Sequence, residues 1–442
     1  MGDNGGRDHG VRVMIGLRDA PPMAATVVIL SGLLAGAARA GDVGATDWPQ
    51  FRGPRHDGIS AETGFAKSWP PSGLPIIWSR EVGAGFSSFA VVRERVYTCG
   101  TVDARQVLFC LDFDNGDVIW KDAYEAEIRD PDPHLHGPRA TPTVDGDRVY
   151  MMGGHGRVVC WNAADGRVLW DRRFTNEPGW GYSASVLMEG DLAIVQAGGA
   201  DGALCAMDKM TGEIKWRCGD DPAAYATPYP FTLLGRRCVV GFLAQSVIIA
   251  DAETGKLMLR FEWPSHSGVN VCAPMVHDGC LLLSTGYGYG AGLFRLRPAD
   301  GGLAADEIWR STKIRNKFQS PVLVDGKLYT SDEDALKCVD FMTGERLWRK
   351  RGIKHGAVLA ADGHLIVLTE TGTLMLAPAS SEGFAPIAEM KLFEGTTYSL
   401  SQRLLRQRQG ARCWSAPVLC GGRLLARNHV TVTCLDLRGA GE

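Results

Sequence analysis

The stretch Asp208-Lys-Met-Thr-Gly-Glu-Ile-Lys-Trp216 returns almost unchanged as Asp340-Phe-Met-Thr-Gly-Glu-Arg-Leu-Trp348. Weaker copies span 112–120, 162–170, 251–259 and, with an insertion, 297–309. The unit recurs about every 45 residues, a period that is typical of propellers, solenoids and arrays. The architecture of the chain therefore follows from this repeat.

Each unit has the pattern of a four-stranded antiparallel sheet. Short apolar runs alternate with turn residues, and the first run often follows a proline, as in Thr141-Pro-Thr-Val. The turn before the fourth strand carries a glycine, which supplies a positive φ. These turn glycines are Gly116, Gly166, Gly212, Gly255 and Gly344. The fourth strand ends at a large residue, usually tryptophan: Trp78, Trp120, Trp170, Trp216, Leu259, Trp309, Trp348 and Met390.

The order of strands indicates a closed ring. The chain opens with a lone fourth strand near 75–82 and closes with a three-strand set that ends at Asp436. We therefore predict an all-β fold, an eight-bladed β-propeller of four-stranded antiparallel blades, with the N-terminal strand completing the last blade, because closure removes open sheet edges. Seven blades is the alternative if the degenerate unit at 357–394 does not form one. The predicted segments are a lead-in at 41–74, the propeller at 75–438 and a tail at 439–442.

The N-terminus has the pattern of a secretory signal peptide. An apolar run at 23–38 follows Arg12 and Arg18 and ends in Ala38-Arg-Ala40, which predicts cleavage after residue 40 and export to the periplasm or the medium. No later segment reaches about 18 apolar residues, so we expect no transmembrane segment in the mature chain. The first cysteine after the run is Cys99, so we expect no lipid anchor.

Charge and cysteine usage narrow the function classes. The chain has 47 Lys and Arg against 50 Asp and Glu, a net charge of −3, which does not favour nucleic acid as a partner. Five of the 12 cysteines fall at the same repeat position and would lie too far apart for disulfides, so we interpret them as core residues. They are Cys110, Cys160, Cys205, Cys338 and Cys434. The other seven leave a bridge open.

The Asp-x-x-Thr-Gly-x-x-x-Trp units resemble the tryptophan-docking repeats of the PQQ-like propeller superfamily. That superfamily holds quinoprotein alcohol dehydrogenases and the non-catalytic outer-membrane assembly protein BamB. The lead-in Trp48-Pro-Gln-Phe-Arg-Gly-Pro-Arg-His-Asp-Gly-Ile59 also resembles a group of exported bacterial PQQ-like repeat proteins. The resemblance covers about 47–437 and implies that the repeated tryptophans pack flat between neighbouring blades. It does not by itself imply the quinone, because BamB keeps the repeat without it.

The residues just before each first strand should ring one mouth of the central channel. Aromatic walls with a few polar and cationic groups suit a flat, carbonyl-bearing or anionic ligand. An alternative is that these side chains close the channel with water and one another. The candidate mouth residues are His136, Arg139, Tyr182, Tyr225, Asn270, Gln319, His355 and Trp414, with Trp180 and Lys317 close behind.

The same resemblance argues against a dehydrogenase. Quinoprotein alcohol dehydrogenases have adjacent cysteines, a calcium-binding Glu/Asn pair and an Asp base. This chain has no Cys-Cys pair and offers only Asn270 at the mouth. Our leading hypothesis is a non-catalytic binding or scaffold module, with no catalytic residue, no metal and no required cofactor. Its partner would be an envelope or extracellular protein, a small molecule or a glycan.

Two other function classes stay open. One is a PQQ-dependent dehydrogenase or PQQ-binding sensor, with PQQ and calcium as cofactors, and the other is a polysaccharide-binding propeller. His134 and His136 with Asp130 and Asp132 form a weak candidate metal set in a proline-rich loop. The glycine-rich stretch at 286–292 precedes a strand and is interpreted as a wide hairpin rather than a nucleotide loop.

Overall fold

The computed structural model describes residues 46–128, 137–333, 335–394 and 412–439. These residues form eight sheets arranged in a ring, which confirms the predicted eight-bladed propeller. The predicted signal peptide at 1–40 and the candidate metal set at 130–136 lie outside the described residues. Among the residues that are described, no helix is long and apolar enough to cross a membrane.

Two N-terminal strands, β1 (Ile59–Ser60) and β2 (Ile76–Glu81), join blades that the C-terminal part of the chain builds. The first four blades follow in chain order. Blade 1 contains β3 (Ala90–Val92), β4 (Arg95–Val102), β5 (Arg105–Asp112) and β6 (Val118–Ala126). Blade 2 contains β7 (Thr143–Asp145), β8 (Arg148–Met152), β9 (Arg157–Asn162) and β10 (Val168–Arg173). Blade 3 contains β11 (Leu187–Glu189), β12 (Leu192–Val195), β13 (Leu204–Asp208) and β14 (Ile214–Cys218). Blade 4 contains β15 (Tyr229–Leu233), β16 (Arg236–Phe242), β17 (Ser246–Asp251) and β18 (Leu257–Glu262).

The remaining four blades complete the ring, and two short 3₁₀ turns lie at Gly199–Asp201 and His266–Gly268. Blade 5 contains β19 (Met275–His277), β20 (Cys280–Thr285), β21 (Gly290–Ala299) and β22 (Gly302–Ser311). Blade 6 contains β23 (Val322–Val324), β24 (Lys327–Ser331), β25 (Ala335–Asp340) and β26 (Arg346–Arg351). Blade 7 contains β27 (Ala357–Ala361), β28 (His364–Leu368), β29 (Thr373–Pro378) and β30 (Ala388–Lys391). Blade 8 contains β31 (Val418–Cys420), β32 (Arg423–Arg427) and β33 (Thr431–Asp436), with β2 as its outer strand.

Neighbouring blades are joined by contacts between a tryptophan and a glycine. A methyl group built on Gly212 would lie 2.6 Å from the indole of Trp170 in the preceding blade, and Gly212 has a φ of +72°. The indole N–H of Trp170 donates to the carbonyl of Lys209 in the same turn, at 3.0 Å. The turn glycine therefore serves both the positive φ and the close approach of the indole. The same packing recurs at the pairs Trp78 with Gly116, Trp120 with Gly166, Trp216 with Gly255 and Trp309 with Gly344.

The core is divided between blades rather than collected in one centre. Hydrophobic clusters fill the spaces between successive sheets, and the repeated cysteines contribute to them. Cys110 faces Trp120 across a strand pair, and Cys434 faces Trp78 in the same register. The five cysteines at this repeat position are buried and none of them forms a disulfide, as the sequence predicts.

Ring closure is confirmed at blade 8. Strand β2 pairs antiparallel with β33, with Trp78 opposite Cys434. Gly73 packs against Met390 of blade 7, so it takes the place of a turn glycine where the chain ends interrupt the hairpin. The buried guanidinium of Arg427 on β32 donates to the carbonyls of Ser87 (3.0 Å) and Cys99 (2.8 Å) of blade 1. The hydrogen bonds of Arg427 thus join blade 8 to blade 1.

The lead-in adds a strand to the ring. Residues 48–59 have no strand alternation in the sequence, yet Ile59 and Ser60 form β1, a parallel fifth strand on β27 of blade 7. Trp48 also forms an antiparallel bridge with Val91 of blade 1. A two-residue strand is too short to show a period, because alternation needs about four residues or more to be recognised.

Candidate ligand-binding channel

The innermost strands of the blades line a central channel that contains a cavity of about 440 Å³. Hydroxyl side chains form a belt around it at the start of these strands. Thr141 accepts a hydrogen bond from the backbone N–H of Ser88 at 3.1 Å, and Ser185 accepts one from Thr141 at 2.9 Å. Thr227 accepts from Ser185 at 3.0 Å. Each hydroxyl oxygen therefore binds the N–H of the preceding blade and holds neighbouring first strands in register.

The lead-in closes the channel just beyond the belt, about three residues further along the first strands. It bonds to residues further along the first strands, so it lies past their starting points. The N–H groups of Val91 and Val144 donate to the carbonyls of Trp48 and Pro49, at 2.7 and 2.8 Å. On the other side of the ring, the N–H of Ala360 donates to Gly58 at 3.1 Å. The channel is therefore a cup with a single described mouth.

Arg52 of the lead-in forms part of the floor of this cup. The side chain lines the cavity, and only 9% of the residue is exposed. Its Nε donates to the carbonyl of His56 at 3.0 Å, and its Nη2 donates to the carbonyls of Asp57 (2.7 Å) and Pro321 (2.6 Å). Burial lowers the pKa of Arg52, since desolvation disfavours the charged form.

The mouth of the cup has aromatic walls. Trp414 stacks on Phe86 with ring centroids 5.0 Å apart, and Phe318 lies 4.7 Å from the same indole. On the far side of the ring, Trp180 and Tyr225 form a second aromatic pair at 6.1 Å. Blades 8 and 4 lie opposite one another in an eight-membered ring, so the two walls face each other across the cavity.

The charge of the lining is mainly positive. Arg52, Arg139, Lys317 and Arg412 line the cavity, whereas Glu370 is the one acidic residue among its described lining residues. Lys317 lies 4.8 Å from the ring centre of Tyr287, and burial lowers its pKa. Arg412 lies 4.9 Å from the ring centre of Trp414. Such a lining favours an anion with an apolar, planar part.

Glu370 is engaged by His355. The two side chains lie 3.2 Å apart, and His355 also packs against Trp414 at 6.0 Å. Burial raises the pKa of Glu370, but the hydrogen bonds and charge of His355, together with the charge of Lys354, outweigh it, so the pKa lies below its ordinary value. The pair therefore supports the ring of Trp414 from behind. Because Glu370 is engaged by His355, the charge of the cavity lining stays mainly positive.

The structure brings four of the eight candidate mouth residues to the cavity wall: Arg139, Tyr225, Gln319 and Trp414. His355 lies behind the wall, and His136 lies outside the described residues. Tyr182 and Asn270 do not line the cavity. The hydroxyl of Tyr182 donates to Ala197 at 2.7 Å, and the amide of Asn270 donates to Leu243 at 2.7 Å, both inside the blades.

The structure also shows lining residues that the sequence analysis did not select. Phe86, Phe318 and Tyr287 complete the aromatic walls, and Arg52 enters from the lead-in. A signal for the hydroxyl belt was present, because Thr141, Thr227 and Ser320 each stand directly before a proline that opens a first strand. Arg52 carried no comparable signal, since its approach to the channel depends on the path of the lead-in across the ring.

Comparison with known proteins places this fold in a family. Residues 104–350, more than half of the chain, match the family model described as outer membrane protein assembly factor BamB. The chain belongs to this family. Its similarity to individual BamB proteins is modest. It is 25% identical to the factor of Yersinia pestis over 70% of this chain and 68% of that protein. It is 24% identical to the factor of Alteromonas naphthalenivorans over 51% of this chain, and spans 58% of that protein, less than two thirds.

Solved structures share the fold of this family member at low sequence identity. BamB from Moraxella catarrhalis superposes with a TM-score of 0.56 at 15% identity, covering 84% of this chain and 99% of that one. A quinohemoprotein alcohol dehydrogenase from Comamonas testosteroni gives 0.62 at 14% identity, covering 90% and 81%. At such identities the likeness shows the propeller fold alone.

The dehydrogenase neighbours raise the question of whether this BamB-family chain could hold their cofactors. The aromatic walls and the cationic lining suit a planar anion such as PQQ. The acidic residues do not suit calcium, because no group of three or more His, Cys, Asp or Glu side chains in the described ranges could hold a metal ion. Glu370 is engaged by His355, and Glu333 accepts from the N–H of Tyr287 at 2.6 Å. The described lining thus fits a planar anion better than a metal-assisted quinone.

Proposed function

We propose that this protein is an exported, non-catalytic binding module that takes a small planar anion into the cup. The observation that carries the proposal is the cavity of about 440 Å³ with two facing aromatic walls, a mainly cationic lining and a closed floor. Aromatic faces supply stacking area, and desolvated cations supply attraction for negative charge. The ring itself is held rigid by the docking pairs, as a preformed pocket requires.

The binding test uses the tryptophans of the mouth as reporters. Purified protein is titrated with a panel of planar carboxylates and phosphates, including PQQ with and without calcium, while intrinsic fluorescence is recorded. We expect saturable quenching at one ligand per chain, weakened at least tenfold in Trp414→Ala and Trp180→Ala. Ile119→Ala, an exposed apolar site on the outer strand β6, is the matched control and should bind like the unchanged protein.

The non-catalytic part of the proposal has its own test. The protein is incubated with PQQ, calcium, a redox dye and primary alcohols or sugars. We expect binding without dye reduction, because the described lining offers no free carboxylate base and no calcium site. Turnover that depends on the added alcohol would overturn the non-catalytic assignment and favour a dehydrogenase.

A second candidate function is glycan binding at the rim of the mouth. Trp180 and Tyr287 both line the cavity and are 44% and 43% exposed. Exposed aromatic rings can stack on sugar rings. Glycan-array binding that is lost in Trp180→Ala, but kept in Arg52→Met, would favour this candidate over the planar anion.

A further inference from the structure

In the floor of the cup, the buried guanidinium of Arg52 is hydrogen-bonded to no carboxylate among the residues that the structure describes. Arg52 is 9% exposed, and it donates hydrogen bonds to the carbonyl oxygens of His56, Asp57 and Pro321. Buried charges in proteins are usually paired, because desolvation of an isolated ion is costly. The carboxylate of Asp57 acts on Arg52 through its charge, but its oxygens bind Arg55 at 2.9 Å and the N–H of Ile59 at 2.9 Å. Asp57 therefore gives Arg52 no carboxylate hydrogen bond.

The guanidinium also has donor capacity left over. Arginine carries five N–H groups. The Nε and Nη2 groups of Arg52 supply three hydrogen bonds, whereas Nη1 has no hydrogen-bond acceptor among the residues that the structure describes. Gly58 packs against the guanidinium, because a methyl group built there would lie 3.3 Å from Nη1. An arginine in this state is suited to a carboxylate or a phosphate group.

The hydroxyl belt faces the same cavity as Arg52. The hydroxyl oxygens of Thr141, Ser185 and Thr227 accept backbone N–H groups, which leaves each hydroxyl proton available as a donor. Within the described ranges no acceptor for these three protons is found. Three hydroxyl donors from consecutive blades and one guanidinium therefore line one cavity of about 440 Å³.

We define the neck of the channel as the space between Arg52 and the hydroxyls of Thr141, Ser185 and Thr227. We propose that this neck binds an oxyanion, which is the carboxylate or phosphate head of the ligand. This inference rests on the proposed function and deepens it. It places the anionic head between the floor and the hydroxyl belt, and the planar part between the aromatic walls of the mouth. The lead-in then has a binding role as well as a closing role, because it delivers the central cation.

The probe for this arrangement is phenyl phosphate, measured by isothermal titration against the full chain. Inorganic phosphate lacks the ring, benzyl alcohol lacks the charge, and benzoate replaces phosphate by carboxylate. We expect phenyl phosphate or benzoate to bind at least tenfold more tightly than inorganic phosphate and benzyl alcohol. Which of the two binds more tightly identifies the head group.

Variants locate the head group. Arg52→Met should weaken binding of the better probe at least tenfold, whereas Arg55→Met should leave it unchanged. Arg55 is the matched control because it lies in the same segment with a side chain that is 53% exposed. Thr227→Val should weaken binding several-fold, and Thr227→Ser should restore it. Melting curves of every variant establish that it is folded, and Thr227→Val with Thr227→Ser carries the test if Arg52→Met does not fold.

The outcomes separate the two proposals. Unchanged affinity in folded Arg52→Met and in Thr227→Val, with quenching of the mouth tryptophans retained, overturns the oxyanion neck and leaves the proposed function standing. Equal losses in Arg52→Met and Arg55→Met also overturn it, because a surface charge effect then suffices. If the unchanged protein binds neither phenyl phosphate nor benzoate, the neck assignment fails, and the fluorescence panel decides the proposed function separately.

Discussion

At the scale of single residues, the contact between an indole and a turn glycine decides how the blades pack. Trp170 is 9% exposed and lies against Gly212, whose φ is +72°. Aromatic side chains of this size bury a large apolar area, so their removal is costly. The glycine cannot be replaced without moving the indole, because a Cβ atom would lie within 2.6 Å of it.

We predict that Gly212→Ala destabilises the protein by more than the backbone cost of a positive φ. That cost is about 1–2 kcal/mol, and Gly146→Ala measures it, since Gly146 has a φ of +62° with nothing within 4 Å of the added methyl. Trp170→Ala should cost about 3–5 kcal/mol. When Trp170 has already been replaced by alanine, Gly212→Ala should lower the free energy of unfolding by no more than Gly146→Ala does. Urea denaturation measures each of these changes. Equal costs of Gly212→Ala and Gly146→Ala in the unchanged background would refute the contact.

His56 gives the lead-in a dependence on pH. Burial, and then the charges of Arg52 and Arg237, lower the pKa of His56 to about 4 from an ordinary value of 6.5. It also contacts Gln50 at 3.0 Å and the ring of Tyr229 at 6.1 Å. The unfolded chain therefore takes up a proton more readily than the folded chain. The stability is fully present above pH 6.5 and is lost as the pH falls toward 4.

We predict that the free energy of unfolding falls by about 3 kcal/mol over this window through His56 alone. Urea denaturation at pH 7 and pH 4.5 should show a smaller fall in His56→Gln than in the unchanged protein. His277→Gln, at a histidine whose side chain is 51% exposed, is the control and should keep the full fall. Identical pH dependence in all three proteins would remove His56 as the cause.

At the scale of elements, the sequence predicted blades better than it predicted the wall of the channel. All eight fourth-strand anchors lie in the fourth strands of the structure, because each anchor is tied to a turn by a local pattern. The prediction that the strand ends at the anchor was wrong, because every fourth strand continues past it, and seven of the eight anchors are the third residue of their strand. The unit with Leu259 lacks the tryptophan, and its packing against the next blade differs accordingly. Where the tryptophan is missing, the following blade has the long β21–β22 hairpin, and Gly302 approaches the carbonyl of Met258 instead.

The channel wall was harder to predict because neighbouring side chains point in different directions in the segments that precede the first strands. Val269 and Val271, before β19, line the cavity, whereas Asn270 between them points into the blade. A shift of one residue therefore reverses the assignment of a side chain, and the period of the repeat does not fix the register at that precision. Arg52 depends on the path of a segment without a repeat, so no local pattern could indicate its place.

Strand β2 is predicted to be essential for a monomeric ring. A chain that begins at residue 84 would lack β2 and leave β33 as an open edge, which is a template for pairing with other chains. We expect aggregates or domain-swapped oligomers by size-exclusion chromatography with light scattering. A chain that begins at residue 61 keeps β2 and is the control, which should remain monomeric. A monomer with an unchanged melting temperature from the shorter chain would contradict closure by β2.

At the scale of the whole molecule, two N-terminal segments perform different tasks on one ring. Strand β2 completes blade 8, while residues 46–60, which we call the strap, cross the channel and contact several blades. Loss of β2 should open the ring, whereas loss of the strap should only uncover one end of the channel. The ring is therefore expected to survive removal of the strap and to change in the accessibility of its inner strands.

This difference can be read from amide exchange. The N–H groups of Val91, Val144 and Ala360, in blades 1, 2 and 7, donate to carbonyls of the lead-in at 2.7, 2.8 and 3.1 Å. In the chain that begins at residue 61 these three amides lose their acceptors, so hydrogen exchange should become at least tenfold faster there. The N–H of Ser185 donates to Thr227 in the hydroxyl belt and does not contact the lead-in, so it should keep its exchange rate. Uniform acceleration at all four amides would mean that the strap holds the ring together rather than sealing its floor.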